Sequence, residues 1–169
     1  MGLFSKLNKN KLNPINVEDN EIVAIADGYQ IDVTTVSDSM FAQKVMGDSI
    51  AFRYERSKVI ICSPANGVLS VLFPTGHAFG ILMKNGVEIL IHIGINTVNS
   101  NGVGFKKLNF KKDNYVKAGD PIVEVDLEKL SSMYDLTTML IITNNNNQNI
   151  EFIDAAVVKR GQKIVRYNL

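Results

Sequence analysis

The chain has 169 residues, 46% of them hydrophobic and 21% charged, with a formal net charge of +1. That is the length of one ordinary domain with enough apolar residues for a sizeable core, and its scattered basic residues argue against nucleic acid as a partner. The single cysteine, Cys62, excludes an internal disulfide and suits a reducing cytoplasm, and no apolar run approaches the roughly 20 residues of a membrane span.

The opening MGLFSKLNKNKL sets Leu3, Phe4 and Leu7 on one helical face beside Lys6, Lys9 and Lys11. Such a pattern suits weak contact of residues 1–12 with an anionic membrane surface, and a frayed terminus is the plainer alternative. No secretory signal is expected, since the start lacks an apolar h-region and a cleavage site. Residues 1–20 read as a flexible basic arm and residues 21–169 as a single domain, placed in the cytoplasm or peripherally at the inner face of the membrane.

Beyond the arm, short apolar or alternating runs recur: EIVAIA from Glu21, SKVIICS from Ser57, GVLSVLF from Gly67, GVEILIHIGI from Gly86, DPIVEVDL from Asp120, MLIIT from Met139 and KIVRY from Lys163. Each fits a strand. Asp27-Gly28, Asn66-Gly67, Asn85-Gly86 and Asn101-Gly102 punctuate them as turns. VKAGDPI and VKRGQKI echo one another as turns feeding strands. Helix signals are confined to Ser39–Met46 behind Asp38 and to LEKLSSMY from Leu127. The polar run NNNNQN, Asn144 to Asn149, reads as a solvated hairpin loop. The expectation is an all-β fold, an antiparallel β-sandwich or barrel-sandwich of many short strands with a few short helical turns.

The chain has two histidines, His77 and His92. Along EILIHIGI, Ile89, Ile91, Ile93 and Ile95 form an unbroken apolar side, so His92 stands on the opposite face with Glu88, Leu90, Gly94 and Asn96. Asn85-Gly86 predicts a hairpin between Phe79–Met83 and Val87–Ile95. A two-residue loop, whether Asn85-Gly86 or Lys84-Asn85, makes the two imidazoles diagonal or direct neighbours on one face. A three-residue loop would place them on opposite faces. Two adjacent imidazoles can hold a metal, with Glu88 or Asp48 as candidate third ligands, although zinc normally takes three or four protein ligands. They can also act as acid and base, or as a covalent nucleophile with a supporting donor. Pattern alone leaves these open.

FPTGHAFGILMKNGVEILIHIGINTVNSNGVGF, Phe73 to Phe105, resembles the signature of the glucose-family enzyme IIA of the phosphoenolpyruvate:sugar phosphotransferase system. DSMFAQKVMGDSIAF, SPANG, VKAGDPIVEVDL and IITN extend the resemblance from about residue 20 to the end. It implies an antiparallel β-sandwich and a transferase component phosphorylated on His92 by the carrier HPr, then discharged to the IIB domain of a sugar permease. His77 would hydrogen-bond the phosphoryl oxygens, and Thr75 would orient His77. Docking would fall on Asp38, Met40, Phe41, Val45, Phe73, Leu90, Asn96 and Val98. No cofactor is required, although family members also bind zinc through the same two histidines and a partner's carboxylate. Asn96 stands where the family has aspartate, Ser49 replaces a usual glycine, TTMLIITN replaces the TPVVITN segment, and IADGYQ lacks the proline of the family's first turn. Loss of the charge at Asn96 raises a second reading: a weakened regulatory binder that docks transporters or enzymes through the same apolar face. A third, a zinc hydrolase, would want an HxH motif, whereas this chain reads HIG at His92.

Overall fold

Alternation of apolar and polar residues dictates most of the architecture in this computed structural model, which describes residues 12–168. In chain order the elements are β1 (Gly28–Ile31), a 3-10 turn at Val33–Thr35, α1 (Ser39–Ala42), β2 (Asp48–Arg53), β3 (Lys58–Cys62), β4 (Gly67–Leu72), β5 (Ala78–Met83) and β6 (Glu88–Ile93). There follow a 3-10 turn at Thr97–Ser100, β7 (Phe105–Lys107), β8 (Tyr115–Val116), β9 (Pro121–Asp126), α2 (Leu127–Leu130), β10 (Thr138–Asn144), β11 (Ile150–Phe152), β12 (Val157–Val158) and β13 (Val165–Tyr167). An eight-stranded sheet runs in the order β12-β1-β2-β10-β6-β5-β4-β8, beside a three-stranded sheet β3-β9-β7 and the pair β11-β13. The strand pairings are antiparallel. The expected all-β sandwich is what forms.

The main core lies between the large sheet and the three-stranded one. Phe52, Phe79, Ile89, Ile91, Ile93 and Leu140 meet Val59, Ile61, Val123 and Val125 there, all buried. Their neighbours in sequence point the other way. Ala51, Met139 and Ile141 form a smaller cluster on the reverse face with Val33, Val36, Phe41 and Ile95. The segment from the first 3-10 turn through α1 therefore covers part of that face. Asp38 starts α1 as anticipated, its carboxylate accepting from the Met40 and Phe41 amides at 2.9 and 3.4 Å.

Several expectations need correction. EIVAIA is fully buried at its centre but makes only one isolated bridge, Val23 to Lys163. Its amides instead alternate partners, with Val23 donating to Pro64 and Ala24 to Gln162, each at 2.8 Å. NNNNQN is exposed along most of its length but is no hairpin, because β10 pairs with β2 and β6 while β11 pairs with β13. Ile95 leaves the row of its isoleucine neighbours and joins the smaller cluster. Most of the expected arm, including the basic face at Leu3–Lys11, lies outside the described residues. Of the rest, Arg160 donates to the Asn13 carbonyl, and the Asn66 amide donates to the Val17 carbonyl at 2.9 Å.

The hairpin between β5 and β6 also departs from expectation. Ala78 faces His92 and Leu82 faces Glu88, and the Met83 amide donates to the Val87 carbonyl at 2.9 Å. Lys84, Asn85 and Gly86 thus make a three-residue loop, the geometry that in a regular ladder would part the histidines.

Candidate functional site

His92 stands on the reverse face of β6, half-buried, between the rows that carry Leu90 and Gly94. His77 sits opposite Ile93, whose amide donates to the His77 carbonyl at 2.7 Å. In a continuing strand its ring would enter the core. It does not, because His77 lies in a bend just before β5. Gly76 takes a φ of +78°, a conformation open chiefly to glycine, and this turns the ring back over the reverse face. The ring centroids of His77 and His92 are 5.3 Å apart at an interplanar angle of 78°. The histidines meet as expected, by a bend rather than by strand register.

Hydrogen bonds set the ring nitrogens. His92 Nδ1 lies 2.9 Å from the Gly94 carbonyl oxygen. A carbonyl only accepts, so Nδ1 carries the hydrogen and the neutral ring keeps its lone pair on Nε2. His77 Nδ1 lies 2.5 Å from the Thr75 hydroxyl. With the hydroxyl donating, His77 carries its own hydrogen on Nε2. One ring then offers a lone pair and the other a donor.

Burial holds both imidazoles below the ordinary histidine value of 6.5. For His92 the proximity of His77 adds to that effect, while the Gly94 carbonyl and the Asp38 carboxylate oppose it. The pair is therefore biased to the neutral state in which a nucleophilic nitrogen exists.

Aromatic rings flank the pair. Phe41 lies 4.9 Å from His92 and Phe73 lies 5.1 Å from His77, centroid to centroid. Phe41 is buried, whereas Phe73, Met40, Val45 and Val98 are 40%, 54%, 63% and 49% exposed. Leu90 is half-buried on the same sheet face as His92. The rim also includes Val71, which faces Gly80, which in turn faces Leu90 across the sheet. Sequence reasoning missed Val71, although it alternates with Phe73 at the period of a strand. It also missed the carbonyl role of Gly94, for which the two-residue spacing from His92 is the only trace. Asn96 is exposed with φ +58°, just before the second 3-10 turn. Asparagine enters that region more readily than most residues.

The two imidazoles, His77 buried and His92 half-buried, thus meet each other between two aromatic rings. Among the described residues no group of three or more His, Cys, Asp or Glu side chains is placed to hold a metal ion. Asp48, a candidate third ligand, is engaged by Lys44 at 2.7 Å. No helix among the described residues is long and apolar enough to cross a membrane.

The family model for the phosphoenolpyruvate-dependent sugar phosphotransferase system, EIIA 1, matches residues 20–148. The glucose-specific EIICBA component of Staphylococcus carnosus is 38% identical over 145 residues, covering 85% of this chain and 21% of that protein. The glucoside-specific EIICBA component of the same organism is 39% identical over 148 residues, covering 87% and 21%. The chain thus spans about a fifth of the length of these two relatives. The glucose-specific EIIA component of Mycoplasma capricolum is 36% identical over 145 residues, covering 85% of this chain and 92% of that one. A solved structure of the glucose permease IIA from Mycoplasma capricolum superimposes with a TM-score of 0.79 at 36% identity, covering 86% and 93% of the two chains.

Proposed function

The chain belongs to the EIIA 1 family of the phosphoenolpyruvate-dependent sugar phosphotransferase system, and from that premise we propose that it carries a phosphoryl group on His92 between HPr and the IIB domain of a sugar permease. The observation that carries the assignment to His92 is its Nδ1 bond to the Gly94 carbonyl, which leaves Nε2 as the free lone pair.

In the first step that lone pair attacks phosphorus in the phosphohistidine of HPr. The new N–P bond forms as the old one breaks, and the departing nitrogen keeps the electron pair. His92 retains its Nδ1 hydrogen throughout. In the second step a thiolate of the IIB domain attacks the same phosphorus, and Nε2 recovers its pair. His77, with Thr75 donating to its Nδ1, presents its Nε2–H to the phosphoryl oxygens, a charge-assisted bond. Phosphoryl transfer asks for little more than alignment and charge-stabilising donors.

The apolar rim suits transfer between proteins. Phe41 and Phe73 flank the imidazoles, and together with Leu90 and the exposed Met40, Val45 and Val98 they would exclude water once a partner docks. Asp38 lies beside His92 and Asn96 at the rim, where a carrier's basic groups would meet them. Zinc is not part of this step. The two histidines are half a tetrahedral set, so a partner's carboxylate and a further ligand would have to complete it.

The test is to incubate the protein with phosphoenolpyruvate, enzyme I and HPr and to record its intact mass beside His92→Ala. One acid-labile phosphoryl group on the wild type, absent from the variant, is expected. A labelled His92→Ala protein, or an unlabelled wild type, would refute the assignment.

A further inference from the structure

The Gly94 carbonyl that fixes the His92 tautomer belongs to the Gly94–Ile95 peptide, and something must hold that peptide in place. Its N–H, on Ile95, donates to the Asp135 carbonyl at 2.8 Å, while the Gly94 amide donates to the Thr137 carbonyl at 3.1 Å. In a trans peptide N–H and C=O point in opposite directions. Anchoring the Ile95 N–H on Asp135 therefore aims the Gly94 oxygen at His92 Nδ1. Donation from the N–H also polarises the peptide and strengthens its carbonyl as an acceptor.

Asp135 in turn shapes the segment that does the anchoring. Its Oδ1 accepts from the Thr137 amide at 3.0 Å and from the Thr137 hydroxyl at 2.7 Å, closing an Asx turn across Leu136. Arg53 Nε steadies the same hydroxyl at 3.3 Å. The other carboxylate oxygen accepts from Ser37 at 3.4 Å, next to Asp38 at the start of α1. One side chain thus links the docking segment to the support beneath His92.

We propose that Asp135 is a positioning residue for His92: by closing the turn through Thr137 it presents the carbonyl that orients the Gly94–Ile95 peptide, and so keeps the His92 hydrogen on Nδ1 and the lone pair on Nε2. Its importance for phosphoryl transfer rests on the function proposed above; its effect on the tautomer does not. A free imidazole prefers its hydrogen on Nε2, so loosening the peptide lets His92 relax towards the form that has no nucleophilic Nε2.

The experiment labels the histidines of the full chain with nitrogen-15 and reads the Nδ1 and Nε2 chemical shifts of His92 at a pH where the ring is neutral. Phosphorylation rates through enzyme I and HPr are taken on the same samples. The wild type is expected to show a protonated Nδ1 and a bare Nε2. Asp135→Ala should move both shifts towards the Nε2–H form and slow phosphorylation about tenfold, the scale expected when a reacting group is slightly misplaced. Asp135→Asn, which keeps the Oδ1 acceptor, should recover both. If Asp135→Ala does not fold, Thr137→Val removes one of the two donors and should give a smaller change in the same direction. Unaltered His92 shifts in folded Asp135→Ala, or in Thr137→Val where that variant stands in, would overturn the proposal, as would an Nε2–H wild type. Shifts that move as expected in a protein that never accepts phosphate would keep the positioning role and remove the proposed function instead.

Discussion

Replacing Gly94 with alanine should be much more damaging than the same change at Gly102, although both glycines have left-handed φ angles, +78° and +86°. The shared conformation costs a β-carbon about 1 kcal/mol. The surroundings differ. At Gly102 the nearest atoms to an added Cβ are the Thr75 oxygen and Cα at 3.6 and 3.7 Å, ordinary contact distances. At Gly94 the Cβ would overlap Thr97 Cγ2 and press on the Asp135 oxygen at 3.1 Å. Thr97 is fully buried and its hydroxyl donates to the Ile93 carbonyl, so turning it aside strands a buried polar group at about 2 kcal/mol. The sum is about 3 kcal/mol at Gly94 against about 1 kcal/mol at Gly102. For a chain of this size each kilocalorie lowers Tm by roughly 2–4 °C. Thermal unfolding of the two variants should therefore separate them by about 6 °C. Equal Tm values would refute the reasoning, because they would mean that the crowding around Gly94 relaxes freely.

Asn96→Asp should raise the initial rate of phosphorylation by HPr, since it adds a negative charge at the rim without leaving a backbone conformation that aspartate also tolerates. Equal initial rates at low salt would show that a charge at this position does not speed the transfer. Stability should also fall as pH drops below about 6.5, because the unfolded chain takes up protons that the buried His77 and the half-buried His92 resist. A His77→Gln/His92→Gln variant should show a flatter profile across that window by urea titration, and parallel profiles would contradict the burial argument.

The face of His92 was legible because a strand with a buried side must alternate. Ile89, Ile91 and Ile93 could only share the core, and His92 could only oppose them. The same rule failed at Ile95, since Gly94 breaks the strand between them and resets which side each residue faces. It failed again at EIVAIA, which is as apolar as any strand here but spreads its hydrogen bonds over Pro64 and Gln162 rather than one partner. Periodicity reports burial, and burial does not choose a partner. The rim residues were named through the family resemblance alone. Met40, Val45 and Val98 read in isolation as ordinary core candidates, and only the fold leaves them at the surface.

The meeting of the two histidines rests on a different kind of information. An Asn-Gly pair suggested a two-residue turn, yet Lys84 joins the loop and shifts the register by one. In an uninterrupted ladder that shift would have carried His77 into the core, away from His92. What rescues the pair is that His77 lies just beyond the last facing residues of β5, where the chain is free to turn at Gly76. Thr75 then holds the turned ring through Nδ1, and Phe73 packs beside it. The TGH tripeptide therefore works as one unit: the glycine aims the ring, the threonine sets its tautomer, and the histidine faces its partner. A site built this way tolerates a changed hairpin loop, because its geometry is decided before β5 begins rather than by the count of residues between the strands.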